Sequence, residues 1–347
     1  MNDLHGLATQ ALRNLDPEDA HTLAIAGLKL GLGPRAPADD PILATEVAGL
    51  SLPNPVGLAP GFDKNAEVFA PMLRAGFGFA ECGTVTPLPQ AGNPRPRLFR
   101  LSEDRAVINR MGFNNQGLEP FAARLARRGR GIVGANIGAN KDSEDRLADY
   151  TNALRRLWGL ASYFTINISS PNTPGLRALQ TKAALEELLG RIVFTADSLP
   201  EGVSVPMFLK VAPDLEDAEV EAIAETVADN GLAGVIVSNT TISRPPLRSR
   251  HRDEMGGLSG APLYSLSTEV LRRFRAAADG RFLLIGAGGI GSGAEAYAKI
   301  RAGASAVQLY SALAYEGPGL VVRIKRDLAQ RLRADGFHSV AEAVGAE

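Results

Sequence analysis

The feature that most constrains the fold is a regular alternation of short, continuously apolar runs with amphipathic helical segments. The eight runs lie at residues 56–59, 79–82, 132–135, 163–166, 207–209, 234–237, 282–285 and 306–309. Continuously apolar runs of this length are typical of parallel strands that are buried on both faces. Eight strand–helix repeats predict an α/β fold, a (β/α)8 TIM barrel. A doubly wound sheet is the alternative, but it normally carries a glycine-rich turn after its first strand, and none follows residue 59 here.

An N-terminal helical extension is predicted to precede this barrel, over residues 1–40, with the barrel itself over residues 41–347. Asp16 and Pro17, followed by the acids Glu18 and Asp19, are typical of the start of a second helix, in which only His21, Thr22 and Lys29 are polar after that first turn. Such a helix has two apolar sides to cover. Two interpretations stay open at this point: a hairpin absorbed into the fold, or a surface for a lipid or an apolar ligand.

Composition excludes several classes of protein. The 347 residues carry 37 Lys and Arg against 38 Asp and Glu, a net charge of -1, which argues against a globally basic nucleic-acid binder. The single cysteine, Cys82, excludes an internal disulfide. No apolar run approaches the roughly 20 residues of a membrane span, and the N-terminus does not look like a secretory signal.

Polar residues at the predicted strand ends are mainly amides, hydroxyls and two lysines, Lys64 and Lys210. No histidine lies at a strand end, so a zinc site and a Ser-His-Asp hydrolase are not expected. Amides and hydroxyls suit a planar polar ligand, and the lysines suit anionic groups. A glycine-rich run over 286–293, after the seventh strand, lies where barrels bind phosphate, which favours a phosphorylated ligand over a plain tight turn.

One connection is unusually long, because nearly fifty residues separate Thr84 from Gly131. Residues 97–101 and 105–109 are predicted to form a hairpin about the turn 102–104. Strand patterning argues against disorder, so we expect this insertion to be functional.

Motifs in this order and spacing resemble the dihydroorotate dehydrogenase family. They lie at residues 61–65, 83–86, 109–115, 136–138, 167–175, 210–214, 238–241 and 256–260, so the resemblance extends from about residue 45 to the end, and the helical extension matches as well. The resemblance implies an FMN-binding barrel that oxidises dihydroorotate to orotate in pyrimidine synthesis. Two departures, Pro60 in place of the usual Ala and Ser238 in place of Thr, remove no required group.

The resemblance also implies a subclass. Soluble members have a cysteine base in the loop after strand four, whereas quinone-dependent, membrane-associated class 2 members have a serine and carry the extension. Ser170 and the extension place this chain with the second group. Ser170 would then be the catalytic base, with Phe113 and Thr173 around its proton path.

The other residue roles implied by the resemblance fall into three groups. Cofactor contacts are expected at Pro60, Gly61, Phe62, Asp63, Lys64, Thr84, Asn136, Asn167, Lys210, Ser238, Gly260, Gly289, Tyr310 and Ser311. Substrate contacts are expected at Lys64, Asn109, Arg110, Met111, Gly112, Phe113, Asn167, Asn172, Asn239 and Thr240. His21 and Arg100 match the polar end of the quinone site, and no metal is expected.

The implied partners are dihydroorotate and orotate, ubiquinone or menaquinone, and a membrane surface contacted by the N-terminal helices. The expected location is peripheral, at the cytoplasmic face of the cell (inner) membrane, with a monomer favoured. Three alternatives stay open: an FMN-dependent tRNA dihydrouridine reductase, a Schiff-base aldolase that uses Lys64 or Lys210, and a non-catalytic phosphate-binding barrel.

Overall fold

A closed barrel of eight parallel strands forms the centre of the protein. The computed structural model describes residues 3–173, 175–200 and 205–347, so Pro174 of the motif at 167–175 lies outside the described residues. The strands are β1 (Thr45–Val47), β2 (Leu50–Leu52), β3 (Val56–Leu58), β4 (Phe79–Val85), β5 (Leu98–Leu101), β6 (Ala106–Asn109), β7 (Ile132–Ile137), β8 (Tyr163–Asn167), β9 (Met207–Val211), β10 (Gly234–Val237), β11 (Gly257–Gly260), β12 (Leu283–Ala287) and β13 (Ala306–Leu309). The helices are α1 (Asp3–Leu12), α2 (Pro17–Lys29), α3 (Phe69–Arg74), α4 (Leu118–Leu125), α5 (Arg146–Leu157), α6 (Lys182–Asp197), α7 (Asp217–Asp229), α8 (Tyr264–Ala278), α9 (Gly293–Arg301), α10 (Leu313–Glu316), α11 (Leu320–Ala334) and α12 (Val340–Ala343).

The barrel order is β3-β4-β7-β8-β9-β10-β12-β13, and β13 pairs with β3 to close it. Each predicted apolar run coincides with one of these strands, so the predicted (β/α)8 barrel is confirmed. Four helices end where predicted, because Gly76, Gly231, Gly280 and Gly303 adopt positive φ and turn the chain into the next strand.

Large aromatic side chains fill the barrel at the amino ends of its strands. Phe79, Tyr163 and Phe208 are almost fully buried there, and Tyr163 packs edge-on against both phenyl rings. The antiparallel hairpin β1–β2 closes this end with Val47 and Leu52. Because this end is closed, a ligand site is confined to the carboxyl ends of the strands.

The long connection after β4 contains the predicted hairpin, with β5 and β6 joined by a turn at Ser102–Asp104. A third strand, β11, pairs antiparallel with β6 and completes a small sheet over the barrel. The sequence did not predict β11, because three of the five residues at 256–260 are glycine, which is rare inside strands.

The N-terminal helices pack on this upper layer, α1 against α10 and α2 against β5. The carboxylate of Asp16 accepts hydrogen bonds from the backbone N–H groups of Glu18 and Asp19, which confirms the predicted cap. Glu18 is buried and forms an ion pair of 2.6 Å with Arg97, which attaches α2 to the start of β5. The outer surface of these helices includes exposed apolar side chains, since Leu7 is 60% and Leu23 is 53% exposed. No helix in the described ranges is long and apolar enough to cross a bilayer.

A substitution at Gly134 tests how tightly the barrel interior is packed. A methyl group on Gly134 would lie 2.1 Å from Cζ of Tyr163, so Gly134→Ala is expected to lower the free energy of unfolding by about 1–3 kcal/mol. Gly190, in α6, has no atom within 4 Å of that position, and Gly190→Ala is expected to raise it by about 0.5–1 kcal/mol. Urea unfolding of both variants measures the difference, and equal effects would contradict the packing argument.

Candidate functional site

A continuous cavity of about 900 Å³ opens at the carboxyl ends of the barrel strands and extends between α1 and α2. Most predicted site residues line it. From the cofactor set these are Pro60, Gly61, Phe62, Lys64, Thr84, Asn167, Lys210, Ser238, Gly260, Gly289, Tyr310 and Ser311. From the other sets they are Asn109, Met111, Gly112, Phe113, Ser170, Asn172, Asn239 and Thr240, with His21 and Arg100 at the end beside the helices.

Ser170 lies in the loop after β8, where its side chain is 6% exposed. Its Oγ accepts a hydrogen bond of 3.2 Å from the backbone N–H of Asn172. The Asn172 side chain donates to Oδ1 of Asn109 at 3.3 Å, which connects this loop to the end of β6. Thr173 is a buried residue of the same loop, and its hydroxyl has no hydrogen-bond partner among the described residues. Phe113 lines the cavity from a left-handed backbone conformation with φ of 54°.

Neighbouring strand ends are connected by a network of amide and hydroxyl groups. Thr84 donates to Oδ1 of Asn136 at 2.5 Å, and Nδ2 of Asn167 donates to Oγ1 of Thr84 at 2.9 Å. Asn239 continues the network to Oγ of Ser169 at 3.0 Å. Buried side-chain networks with satisfied partners are rigid. The amides that face the cavity are therefore held in defined orientations.

A buried carboxylate that sequence reasoning missed lies beneath this network. Glu81, in the middle of β4, is fully buried and accepts hydrogen bonds from Asn136 at 2.7 Å, Gln308 at 2.6 Å and Tyr163 at 3.1 Å. The only signal in the sequence is one acid inside an apolar run at 79–82. A buried charge needs several hydrogen-bond partners, so an acid in this run indicates a polar layer inside the barrel.

Lys64 and Lys210 add positive charge to the cavity, which Arg13, Arg100 and Arg105 also line. Burial lowers the pKa of Lys64 to about 8, although the carboxylates of Glu18 and Asp63 favour the protonated form. Burial also lowers the pKa of Lys210, and the nearby Glu81 carboxylate opposes this shift. Removing a cation from water is costly unless an anion is nearby. An anionic ligand near either lysine would favour its protonated form.

Glycines after β11 and β12 form one end of the cavity. A side chain at Gly289 would lie 2.4 Å from Cα of Tyr264, and one at Gly260 would lie 2.4 Å from the carbonyl oxygen of Arg105. Only glycine fits these close approaches, which expose the backbone to the cavity. Ser311 adds a hydroxyl, which donates to Oγ of Ser259 at 2.8 Å. As predicted, the glycine-rich run leads into α9, which Ser292 caps.

The opposite end of the cavity is mostly apolar. The His21 ring packs edge-on against Phe62, with 5.3 Å between ring centroids, and its Nδ1 lies 3.4 Å from the hydroxyl of Tyr310. Arg100 donates to the carbonyl oxygens of Arg13 and Leu15 and so connects the α1–α2 turn to β5. These contacts place both predicted residues where the helices meet the barrel.

Four predicted site residues do not line the cavity. The Arg110 guanidinium donates to Glu254 at 2.8 Å and lies over the Phe99 ring, so it does not face the substrate position expected for it. The Asp63 carboxylate accepts hydrogen bonds from the backbone N–H groups of Glu67 and Val68 and stabilises the turn after β3. Asn136 and Thr173 lie one layer below the lining. Sequence alone does not predict the orientation of Arg110, because it depends on Glu254, which lies 144 residues away.

Comparisons with known proteins agree with this geometry. The family model described as dihydroorotate dehydrogenase matches residues 42–332. A relative from Rhodospirillum rubrum is 58% identical over 100% of this chain and 95% of its own length. One from Azorhizobium caulinodans is 57% identical over 99% of each chain, and both are named dihydroorotate dehydrogenase (quinone). A crystal structure of DHODH from Eimeria tenella in complex with ferulenol superimposes with a TM-score of 0.93 at 41% identity over 95% of each chain.

The environment of His21 leads to a prediction about pH. Burial, with a smaller contribution from Lys64, lowers the pKa of His21 from its ordinary value of 6.5 to about 3. The folded protein therefore leaves this ring neutral at pH values where the unfolded chain protonates it, and stability falls as the pH drops below the unfolded value. We expect this residue alone to lower the free energy of unfolding by about 2 kcal/mol between about pH 7.5 and about pH 5.

Urea unfolding at the two pH values measures this loss. Over this pH interval, the decrease in the free energy of unfolding is expected to be about 2 kcal/mol smaller in His21→Asn than in the unsubstituted protein. His338→Asn, which changes an exposed histidine, should retain the full loss. If His21→Asn shows the same loss as the unsubstituted protein, the burial argument is wrong.

Proposed function

The chain belongs to the dihydroorotate dehydrogenase family, and from that premise we propose that it oxidises (S)-dihydroorotate to orotate with FMN as hydride acceptor and a quinone as final electron acceptor. It is an oxidoreductase that acts on a CH–CH bond, in pyrimidine (UMP) biosynthesis. The observation that carries the proposal is the continuity of the cavity, which connects Ser170, the glycine end and the apolar end beside α1 and α2. One cavity can therefore serve both half-reactions.

The residues present fit FMN. The backbone at Gly260 and Gly289, with the Ser311 hydroxyl, suits a phosphate, because backbone N–H groups at glycine-rich turns and helix starts bind anions. Thr84, Asn167 and Lys210 present hydroxyl, amide and ammonium groups to the middle of the cavity, which suits the edge of a planar heterocycle. Bound FMN would supply the acceptor for the hydride that leaves C6 of dihydroorotate.

Ser170 is proposed to remove the proton from C5 of dihydroorotate. A serine hydroxyl is a weak base, so it needs a hydrogen-bonded route by which its own proton can leave. The buried Thr173 hydroxyl, which has no partner among the described residues, lies three residues along the same loop and is suited to continue that route. Phe113 lines the cavity and would exclude water from this route.

Substrate binding is proposed for the amides of Asn109, Asn172 and Asn239, with the Thr240 hydroxyl and the Lys64 ammonium. Their donors and acceptors match a pyrimidine ring that carries a carboxylate. The positive charge of Lys64 would bind that carboxylate in a site where burial strengthens the interaction. The backbone of Met111 and Gly112 completes the lining on this side, whereas the Arg110 side chain turns away.

The apolar end is proposed to admit ubiquinone or menaquinone. His21 stays uncharged there because its pKa is low, so the ring can hydrogen-bond a carbonyl oxygen without presenting a buried charge. Arg100 supplies a guanidinium at the same end. The exposed apolar side of α2, with Leu23, would contact the membrane surface.

The domain boundary and the location are part of the same proposal. Residues 1–40 would act as the helical extension that gives access to the quinone, and residues 41–347 as the catalytic barrel. We propose a peripheral position at the cytoplasmic face of the inner membrane, with one chain sufficient for activity, because all of the groups invoked come from a single chain.

A visible spectrum of the purified protein tests the first half-reaction. We expect a yellow protein that bleaches on anaerobic addition of dihydroorotate and recovers its colour on addition of a quinone. Ser170→Ala should retain the yellow colour, but the rate of bleaching by dihydroorotate should fall by roughly 100-fold or more, because the proton acceptor is removed while the cavity is preserved. Ser198→Ala, at the exposed end of α6, serves as the control. Rapid bleaching of Ser170→Ala would exclude the serine base, and a yellow protein that dihydroorotate never bleaches would favour another flavin-dependent reductase.

Substitution within α2 tests the second half-reaction. Ala24 lines the cavity, whereas Ala26, on the same helix, faces solvent. Ala24→Phe is expected to slow reoxidation by a quinone by about tenfold or more and to leave bleaching by dihydroorotate unchanged, because the larger side chain fills the opening. Stopped-flow measurement of each half-reaction, with Ala26→Phe as the control, separates the two effects. Equal slowing in both variants, or in both half-reactions, would contradict the assignment of this opening to the quinone.

A further inference from the structure

Arg177 lies outside the cavity but connects three loops that surround it. It belongs to a short turn, Leu176–Gln180, that follows the Ser170 loop. Its Nε donates to the carbonyl oxygen of Ser169 at 3.1 Å, and its Nη2 donates to the carbonyl oxygen of Thr240 at 3.1 Å. Its Nη1 forms an ion pair of 3.0 Å with Asp214. One planar group therefore contacts the loops after β8, β9 and β10.

Hydrogen bonds from a neighbouring segment also fix the side chain of Asp214. Its carboxylate also accepts hydrogen bonds from the hydroxyls of Thr241 and Ser243 and from the backbone N–H of Ile242. The side chains of Arg177 and Asp214 are 22% and 13% exposed, so the pair is largely shielded from water. Arginine suits this position because its fixed fork of donors can hold several acceptors at once.

The two carbonyl groups that Arg177 holds are each adjacent to a residue of the proposed reaction. Ser169 immediately precedes Ser170, and Thr240 immediately follows Asn239. The base and the substrate-binding amide lie on different loops, and the hydrogen bond from Asn239 to the Ser169 hydroxyl, 3.0 Å long, bridges them inside the cavity. Arg177 bridges the same two loops through their backbones. The distance between base and substrate thus depends on this guanidinium.

We propose that Arg177, held by Asp214, is a positioning residue that sets the Ser170 loop against the substrate-binding loop at 239–240. This inference rests on the proposed function, since it assumes that Ser170 is the base. A displacement of about 1 Å at a reacting group can cost roughly 100-fold in rate. Losing Arg177 should therefore slow proton removal much more than it weakens FMN or quinone binding.

The test compares Arg177→Lys with Arg273→Lys in the FMN-loaded protein. Arg273 is a matched control, because it also pairs with one carboxylate, that of Asp217, and one backbone carbonyl, that of Leu215, but it lies on the outer helix α8. In Arg177→Lys we expect the limiting rate of flavin reduction by dihydroorotate to fall roughly 100-fold, with FMN content and the rate of reoxidation by a quinone unchanged. Arg273→Lys should change none of these quantities.

Two further measurements distinguish positioning from general loss of structure. With dihydroorotate deuterated at C5, the isotope effect on flavin reduction should increase in Arg177→Lys, because removal of that proton becomes more nearly rate-limiting. In Arg177→Ala, added guanidinium chloride at millimolar concentration should restore part of the reduction rate, whereas sodium chloride at the same concentration should not. Asp214→Asn should lower the reduction rate in the same direction, and it replaces Arg177→Lys if that variant does not fold.

The inference is wrong if the reduction rates of Arg177→Lys and Arg273→Lys agree within about twofold, or if both half-reactions slow equally. It is also wrong if the FMN-loaded fraction of each Arg177 and Asp214 variant reduces normally. The unsubstituted protein separates this outcome from failure of the proposed function. If dihydroorotate does not bleach the unsubstituted protein, the proposed function fails; if it does and the variants also bleach normally, only the role of Arg177 fails.

Discussion

The buried carboxylate of Glu81 is the interaction on which the rest of the site depends. It lies on β4 and accepts hydrogen bonds from side chains of three other barrel strands, β7, β8 and β13. An unpaired charge at this depth would be strongly unfavourable, so these partners are obligatory. Because they are obligatory, they also fix the floor of the cavity: Asn136 is held from below, and it in turn orients Thr84 and Asn167.

Above this floor the chemical character of the cavity lining changes along its length. Glycine backbone lies at one end, amides and two buried lysines in the middle, and apolar side chains with an uncharged histidine at the other end. Burial lowers the pKa of each lysine, although the carboxylates of Glu18 and Asp63 favour the protonated form of Lys64 and that of Glu81 favours the protonated form of Lys210. A bound anion would favour the protonated, positively charged form of both lysines further.

The barrel was predictable because its signal is local: a buried parallel strand is a short apolar run, and a helix end is a glycine. The position of Ser170 was predictable because it follows a strand in a motif with fixed spacing. Glu81 was not, since one acid in an apolar run does not reveal its three partners. The orientations of Arg110 and Asp63 were also beyond the sequence, because Glu254 and the turn at 67–68 decide them. The role of Arg177 depends on carbonyl groups that come together only in the folded barrel.

The exposed apolar side of the N-terminal helices has a consequence for how the protein behaves in solution. Leu7, Leu23 and Leu30 are 60%, 53% and 79% exposed, so these helices leave several large apolar side chains in contact with water. Contact between two such surfaces relieves that exposure, and so does a detergent micelle. The apparent size of the protein therefore depends on the solvent. Without detergent, the exposed side chains favour association between chains, and with detergent the micelle takes the place of the second chain.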